Sequence, residues 1–162
     1  MLLPLRITPE RWRVLQKYHP LWMSMHVNHP RELTTVVRAG LEMLANHGVP
    51  LGNQSVLLAG VNDCVHIQRA LVHKLVANRI RPYYLYQCDL VEGSGHFRTP
   101  FGKGLQIIAC LRGPPSGSAV PTFATAPPGR AGPTPVAPTS HTTHPPPHSL
   151  PPPHAAHPPP TH

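Results

Sequence analysis

Three short apolar runs, each separated from the next by a helical pattern, constrain this chain more than any other feature. "LWMSMHVNHP", "VPLGNQSVLLAG" and "RPYYLYQCD" read as strands. Around them lie "ITPERWRVLQKYHP", "LTTVVRAGLEMLANHG", "CVHIQRALVHKLVANRI" and "FGKGLQIIACLRG", which read as helices. The first helix has Thr8 as a cap, Pro9 at its first position and Glu10 at the positive end of its dipole. The second sets Val37, Leu41 and Leu44 on one face and ends at Gly48. The third sets Ile67, Leu71 and Leu75 on one stripe. Strict alternation of strands and helices argues a parallel sheet covered by helices. Three strands, expected at 21–27, 51–58 and 82–88, are too few for a closed barrel, so the expectation is part of a larger α/β domain.

The second constraint is compositional. Arg130 is the only charged side chain after Arg112, and no acid follows Glu92. A text such as "HTTHPPPHSLPPPHAAHPPPTH" cannot bury enough apolar surface to offset its ordering entropy. Residues 1–123 are therefore expected to form the folded part. Residues 124–162 are expected to be a disordered Pro/His-rich tail with polyproline II character.

The net charge of +8 raises nucleic-acid binding as a function. The basic residues are scattered over predicted solvated faces, with no zinc-finger spacing and no aromatic–basic RNA signature, so no nucleic-acid partner is expected. Cys64, Cys88 and Cys110 are an odd, widely spaced set, which does not make a disulfide framework and suits a reducing compartment. The start "MLLPLRITPERW" is too short an apolar stretch for a signal peptide, and no run reaches the length of a membrane span. The cytoplasm is the expected location, with no membrane partner.

In α/β folds chemistry sits where strands end. The first strand ends in His26, Asn28 and His29, the second carries Asn53, Gln54 and Ser55, and the third ends in Gln87, Cys88 and Asp89. Adjacent parallel strands would bring these groups to one rim. The alternatives are structural. Asn53 and Gln54 could satisfy backbone groups, the histidines could be structural, Asp89 could cap the turn at Gly93, and Cys88 could be a small buried hydrophobe.

The stretches "YHPLWMSMHVNHPREL", "PLGNQSVLLAGVND", "RPYYLYQCDLVEGSGHFRTP" and "GLQIIACLRGPPSGSAVPTF" resemble, in order from Leu5 to Phe123, the C-terminal part of lysine 2,3-aminomutase. Glutamate 2,3-aminomutase is a near relative. The resemblance implies a partial (β/α) barrel of the radical S-adenosylmethionine type. It also implies an isomerase, an intramolecular aminotransferase that moves the amino group of L-lysine to give β-lysine. The implied cofactors are S-adenosylmethionine, a 4Fe-4S cluster and pyridoxal phosphate, with the protein binding, orienting and shielding them. Carried over by position, His26 and Gln54 contact S-adenosylmethionine, and Asp89 binds the distal ammonium of the lysine substrate. A carboxylate suits that task because a desolvated ammonium needs a paired acceptor. Family members form homo-oligomers.

The chain departs from that pattern at several points. The cluster motif CxxxCxxC is absent, and the three cysteines lie more than twenty positions apart. The arginines that hold the cofactor's phosphate belong to a part with no counterpart here. Without gaps, Ala126 stands at a second substrate aspartate and Pro133 at the lysine of the internal imine. A shift of reading frame after Phe123 would produce such a text. The expectation is a chain inactive by itself, without catalytic residues or a metal site of its own. Two other readings stand beside it: a non-catalytic or regulatory remnant of the S-adenosylmethionine pocket, and a metal-binding role for His141, His144, His148, His154, His157 and His162 in the tail.

Overall fold

The computed structural model describes residues 8–112, 117–126 and 132–136. They form one five-stranded sheet with four α-helices. In chain order the elements are α1 (Pro9–Leu15), β1 (Met23–His26), α2 (Thr35–Asn46), β2 (Leu51–Leu57), α3 (Val65–Ala77), β3 (Ile80–Gln87), α4 (Phe101–Leu111), β4 (Thr122–Thr125) and β5 (Thr134–Pro135). The strands lie in sequence order. Strands β1 to β4 are mutually parallel, and β5 returns antiparallel to β4.

Local signals account for the helix ends. The Thr8 hydroxyl accepts from the Arg11 amide at 3.4 Å, and Pro9 takes the first turn of α1. Thr34 caps α2 in the same way through the Val37 amide. Gly48 then leaves α2 at φ +80°, a left-handed conformation that only glycine adopts without steric cost. Val37, Leu41 and Leu44 form the buried stripe of α2, as the spacing predicts. The stripe of α3 differs by one position: Gln68 is fully buried beside Leu71, Val72 and Leu75, while Ile67 is half-buried. Gln68 is held there because its amide donates to the Asn62 carbonyl at 2.9 Å.

Burial along β2 alternates strictly, so Leu51, Asn53, Ser55 and Leu57 face the helices while Gly52, Gln54 and Val56 face the other way. One core joins Trp12, Met25, Val27, Leu41, Leu71 and Ile80; a second joins Leu57, Val72, Leu85, Ile108, Leu111 and Phe123. Both lie on the helical side. The opposite face carries large exposed apolar groups, with Trp22 73% and Tyr83 46% exposed.

Three differences from the sequence reading matter for the site. First, β4 and β5 were not anticipated. "PTFAT" is short and set among prolines and small residues, so its strand signal is weak, yet Phe123 is driven into the core against α4 and Leu85. Second, β4 runs through Ala124 and Thr125, and Val136 donates to the Phe123 carbonyl at 2.7 Å. The start expected for the tail therefore carries strand structure, while residues 127–131 and 137–162, with the histidines of the tail, lie outside the described residues. Third, β3 contains a proline although it is central. The register slips there: Asn53 pairs with Pro82 and Gln54 with Tyr84, leaving Tyr83 as an extra residue. A bulge is where a sheet tolerates the missing amide of Pro82.

The close approach of α4 to β4 requires Gly104, where an added Cβ would overlap the Phe123 ring. Gly104→Ala should cost about 1–3 kcal/mol by overpacking, more than alanine's helix preference of about 1 kcal/mol returns. Urea unfolding monitored by circular dichroism will show a lower midpoint; an unchanged or higher midpoint means that this contact is not tight. Asn53→Ala should also cost about 1–3 kcal/mol, because it leaves the buried Val27 amide without an acceptor.

Candidate functional site

The carboxyl ends of β1, β2 and β3 are organised by side-chain amides. After His26 the β1 backbone leaves the regular ladder, and Asn53 takes its place. The Val27 amide donates to Asn53 Oδ1 at 2.8 Å, and Asn53 Nδ2 donates to the Val27 carbonyl at 3.1 Å. The Ser55 hydroxyl donates to the same carbonyl at 2.9 Å. One residue on, Asn28 Oδ1 accepts from the Val56 amide at 2.8 Å. Asn62, fully buried, closes the loop after β2: Nδ2 donates to the Asn28 and Val56 carbonyls, both at 2.8 Å, and Oδ1 accepts from the Leu58 amide. Glu32 accepts from the Asn28 and His29 amides, and His29 caps the turn Pro30–Glu32.

This network sorts the polar groups expected at the rim. Asn53 and Ser55 lie on the helical side and are buried at 1% and 5% exposure. Asn28 and His29 bind backbone. Strand alternation turns Asn53 and Ser55 to the helical side, away from a ligand on the open face. His26 and Gln54 remain on the uncovered face, paired with each other in the β1–β2 register. Neither side chain makes a hydrogen bond among the described residues.

Asp89 follows β3 and is exposed. Its carboxylate caps no turn. The loop that carries it is held instead by Ser94, whose hydroxyl lies 2.6 Å from the Val91 carbonyl and 3.2 Å from the Asp89 carbonyl. Arg98 donates to the Val91 carbonyl at 3.1 Å rather than pairing with Asp89.

Two cavities meet at Asp89. One, of about 330 Å³, is lined by His26, Val56, Tyr86, Asp89, Ala126 and Pro133, among others. The other, of about 620 Å³, extends from Asp89 past Cys88, Arg98 and Phe101 to Thr125 and Ala126. His26, Asp89, Ala126 and Pro133 thus share one cavity. Gln54 does not line it. It lines a separate hollow of about 430 Å³ toward the strand starts, with Trp22, Ser24, Arg81 and Tyr83. Gln87 lines both cavities at Asp89, with Nε2 donating to the Thr99 carbonyl at 2.8 Å and a buried Oε1 that has no donor among the described residues.

Tyr86 was not singled out from sequence, although the alternation in "YYLYQ" places it on the same face as Tyr84 and opposite Leu85. Its phenol is held above the ordinary value of 10.0, first by burial, then by Tyr83 and by the negative charge of Asp89.

The donor sets for the implied cofactors can be tested against these positions. Cys64 lies at the start of α3, Cys88 after β3 and Cys110 within α4, all unpaired. No three His, Cys, Asp or Glu side chains are placed together to hold a metal among the described residues, so these residues do not fit an iron–sulfur cluster. Lys74 Nζ donates to the Pro30 carbonyl at 2.9 Å, and Lys103 lies 4.0 Å from Asp63. Neither lines the cavity of His26 and Asp89, so they do not fit an imine there. The free imidazole of His26 and amide of Gln54 do fit a polar ligand laid across β1 and β2. No described helix is long and apolar enough to cross a membrane.

A largely parallel five-stranded sheet with four helices makes this a mixed α/β protein. No family model matches the chain. It is 58% identical over 138 residues to an L-lysine 2,3-aminomutase of Clostridium subterminale, which covers 85% of this chain and 33% of that protein. It is 53% identical over 138 residues to the L-lysine 2,3-aminomutase of Methanococcus maripaludis, and 45% identical over 136 residues to a glutamate 2,3-aminomutase of Clostridioides difficile. The chain is a relative of the L-lysine 2,3-aminomutases, and it spans about a third of the length of the curated relatives it matches.

Replacing Asp89 with asparagine removes one of the charges that raise the Tyr86 phenol. Its ionisation should then move down toward 10.0. In the parent, a raised phenol stabilises the fold fully below the unfolded-state value, and this contribution is lost as pH rises through the folded value. A phenolate absorbance titration of the parent, Asp89→Asn and Tyr86→Phe reads the shift. A Tyr86 titration unmoved by Asp89→Asn would show that the carboxylate does not face the shared cavity.

Proposed function

We propose that this chain supplies the strand-end rim of a 2,3-aminomutase site, within a partial (β/α) barrel of the radical S-adenosylmethionine type. In this reading Asp89 receives the distal ammonium of L-lysine, the amino acid that becomes β-lysine. His26 and Gln54 hold S-adenosylmethionine on the uncovered face. The observation that carries the reading is the unpaired Asp89 carboxylate in one cavity with the free His26 imidazole. The names of the relatives support it, and so do their identities of 58% for the lysine enzyme and 45% for the glutamate enzyme. A carboxylate at this position favours a cationic substrate side chain and repels an anionic one.

S-adenosylmethionine, when bound, supplies the radical chemistry of such a site. The chain's own residues bind and orient: Asp89 fixes the far end of the substrate, and Tyr86 and Val56 line the same cavity. Ala126 and Pro133 line the same cavity at the positions where the resemblance expects an acid and an amine. Alanine offers no acceptor and proline no amine. This favours, as a second reading, a chain that binds ligand without turning it over.

Two measurements test the proposal. Lysine titrated into the chain and followed by NMR should perturb the rim residues, and Asp89→Asn should weaken binding about tenfold, or about 1.4 kcal/mol. Equal affinity in the variant removes Asp89 from its role. The 162-residue chain, incubated anaerobically with iron, sulfide, pyridoxal phosphate and S-adenosylmethionine, should form no reducible imine and no β-lysine. Turnover by this chain alone would overturn the assignment of Ala126 and Pro133.

A further inference from the structure

We propose that Gln87 is a specificity-determining residue of the rim. Its buried Oε1 acts with the Asp89 carboxylate to select a ligand that ends in a primary ammonium. The proposal rests on the reading of the preceding subsection and adds a second acceptor to it.

Gln87 is the last residue of β3, and the two ends of its amide fare differently. Nε2 donates to the Thr99 carbonyl at 2.8 Å and lies 3.5 Å from the Thr99 hydroxyl, which ties the side chain to the segment before α4. Reversing the amide would set two oxygens against each other, so the Thr99 carbonyl fixes its orientation. Oε1 is buried, and no donor among the described residues reaches it. Buried polar atoms are nearly always paired, so an orphaned acceptor calls for an explanation. The neighbouring donors are turned elsewhere: Arg98 donates to the Val91 carbonyl, and Cys88 Sγ lies toward the Asp89 carbonyl.

The place of the orphan supplies the explanation. The two cavities that meet at Asp89 have Gln87, Asp89 and Ala126 in common. Ala126 stands where the resemblance expects a second acid, and it offers no acceptor. Gln87 offers a neutral one at the same junction. A primary ammonium carries three N–H donors and a full charge. One N–H meets the Asp89 carboxylate and another meets Gln87 Oε1, because the last torsion of a glutamine is broad enough for the amide to turn toward a donor. A hydroxyl has one proton for two acceptors, and a quaternary ammonium has none. Such a site rejects the wrong ligand by leaving a buried acceptor unpaired.

The test titrates the 162-residue chain, by NMR, with n-butylammonium, n-butyltrimethylammonium and lysine. The first two probes carry the same charge, but only the first has N–H donors. Gln87→Leu should weaken n-butylammonium about tenfold and leave the trimethyl probe unchanged. Gln87→Glu keeps an acceptor and loses the bond to Thr99, and it should restore the preference. Equal weakening of both probes by Gln87→Leu, no weakening, or a Gln87→Glu variant that behaves like Gln87→Leu overturns the proposal. If the variants fail to fold, the side-chain amide signal of Gln87 in the parent decides. It should shift with n-butylammonium and not with the trimethyl probe, and an unmoved signal overturns the proposal. Lysine binding that Asp89→Asn weakens and Gln87→Leu does not leaves the aminomutase reading standing without this one. Gln87-dependent binding of n-butylammonium with no binding of lysine does the reverse.

Discussion

The side-chain amides of Asn53 and Asn62 are the constraint on which the rest of the structure depends. Where β1 parts from β2, the backbone of Val27 and Asn28 would otherwise be buried without partners. Asn53 exchanges two hydrogen bonds with Val27, and Asn62 ties Asn28 to Val56 and Leu58. An amide carries donor and acceptor together, so it can replace a strand's ladder where no strand continues. The cost of leaving even one such group unmet is about 1–3 kcal/mol, which makes these positions intolerant of apolar substitutes. With the strand ends held, His26 is set on the open face beside Gln54, and the loop after β2 is closed.

The helical face and the open face divide the molecule's tasks. On one side, buried aliphatic groups and Phe123 hold α2, α3 and α4 to the sheet. On the other lie His26, Gln54, Tyr86 and, at the rim, Asp89. Tyr83, displaced by the bulge at Pro82, packs its ring 4.3 Å from that of Tyr84, which in turn lies 5.2 Å from Tyr86. The aromatic run that reads as a plain buried strand is therefore a line of partly exposed rings.

Among the described residues the one ion pair is Lys103 with Asp63, on the helical layer, and Asp89 has no cationic partner. Burial first, then Tyr83 and the unneutralised Asp89 carboxylate, raise the Tyr86 phenol.

By itself the sequence determined the alternation of elements, the parallel order of the first three strands, the caps at Thr8 and Gly48 and the stripe of α2. Each rests on spacing or on one residue's backbone chemistry, which act over a few positions. It also carried the relation to the aminomutases, because matched text is independent of geometry. Tertiary structure alone decided which polar residues serve the fold and which stay free. Asn53 and Gln54 are adjacent and chemically alike, yet alternation sends one into the core and the other to the open face. Packing recruited β4 and β5 from proline-rich text, since Phe123 gains more from the core than its neighbours lose in strand propensity. It also turned Gln68 inward in place of Ile67, because only the fold puts the Asn62 carbonyl within its reach. Contacts between residues distant in sequence made these choices, and no local pattern encodes them.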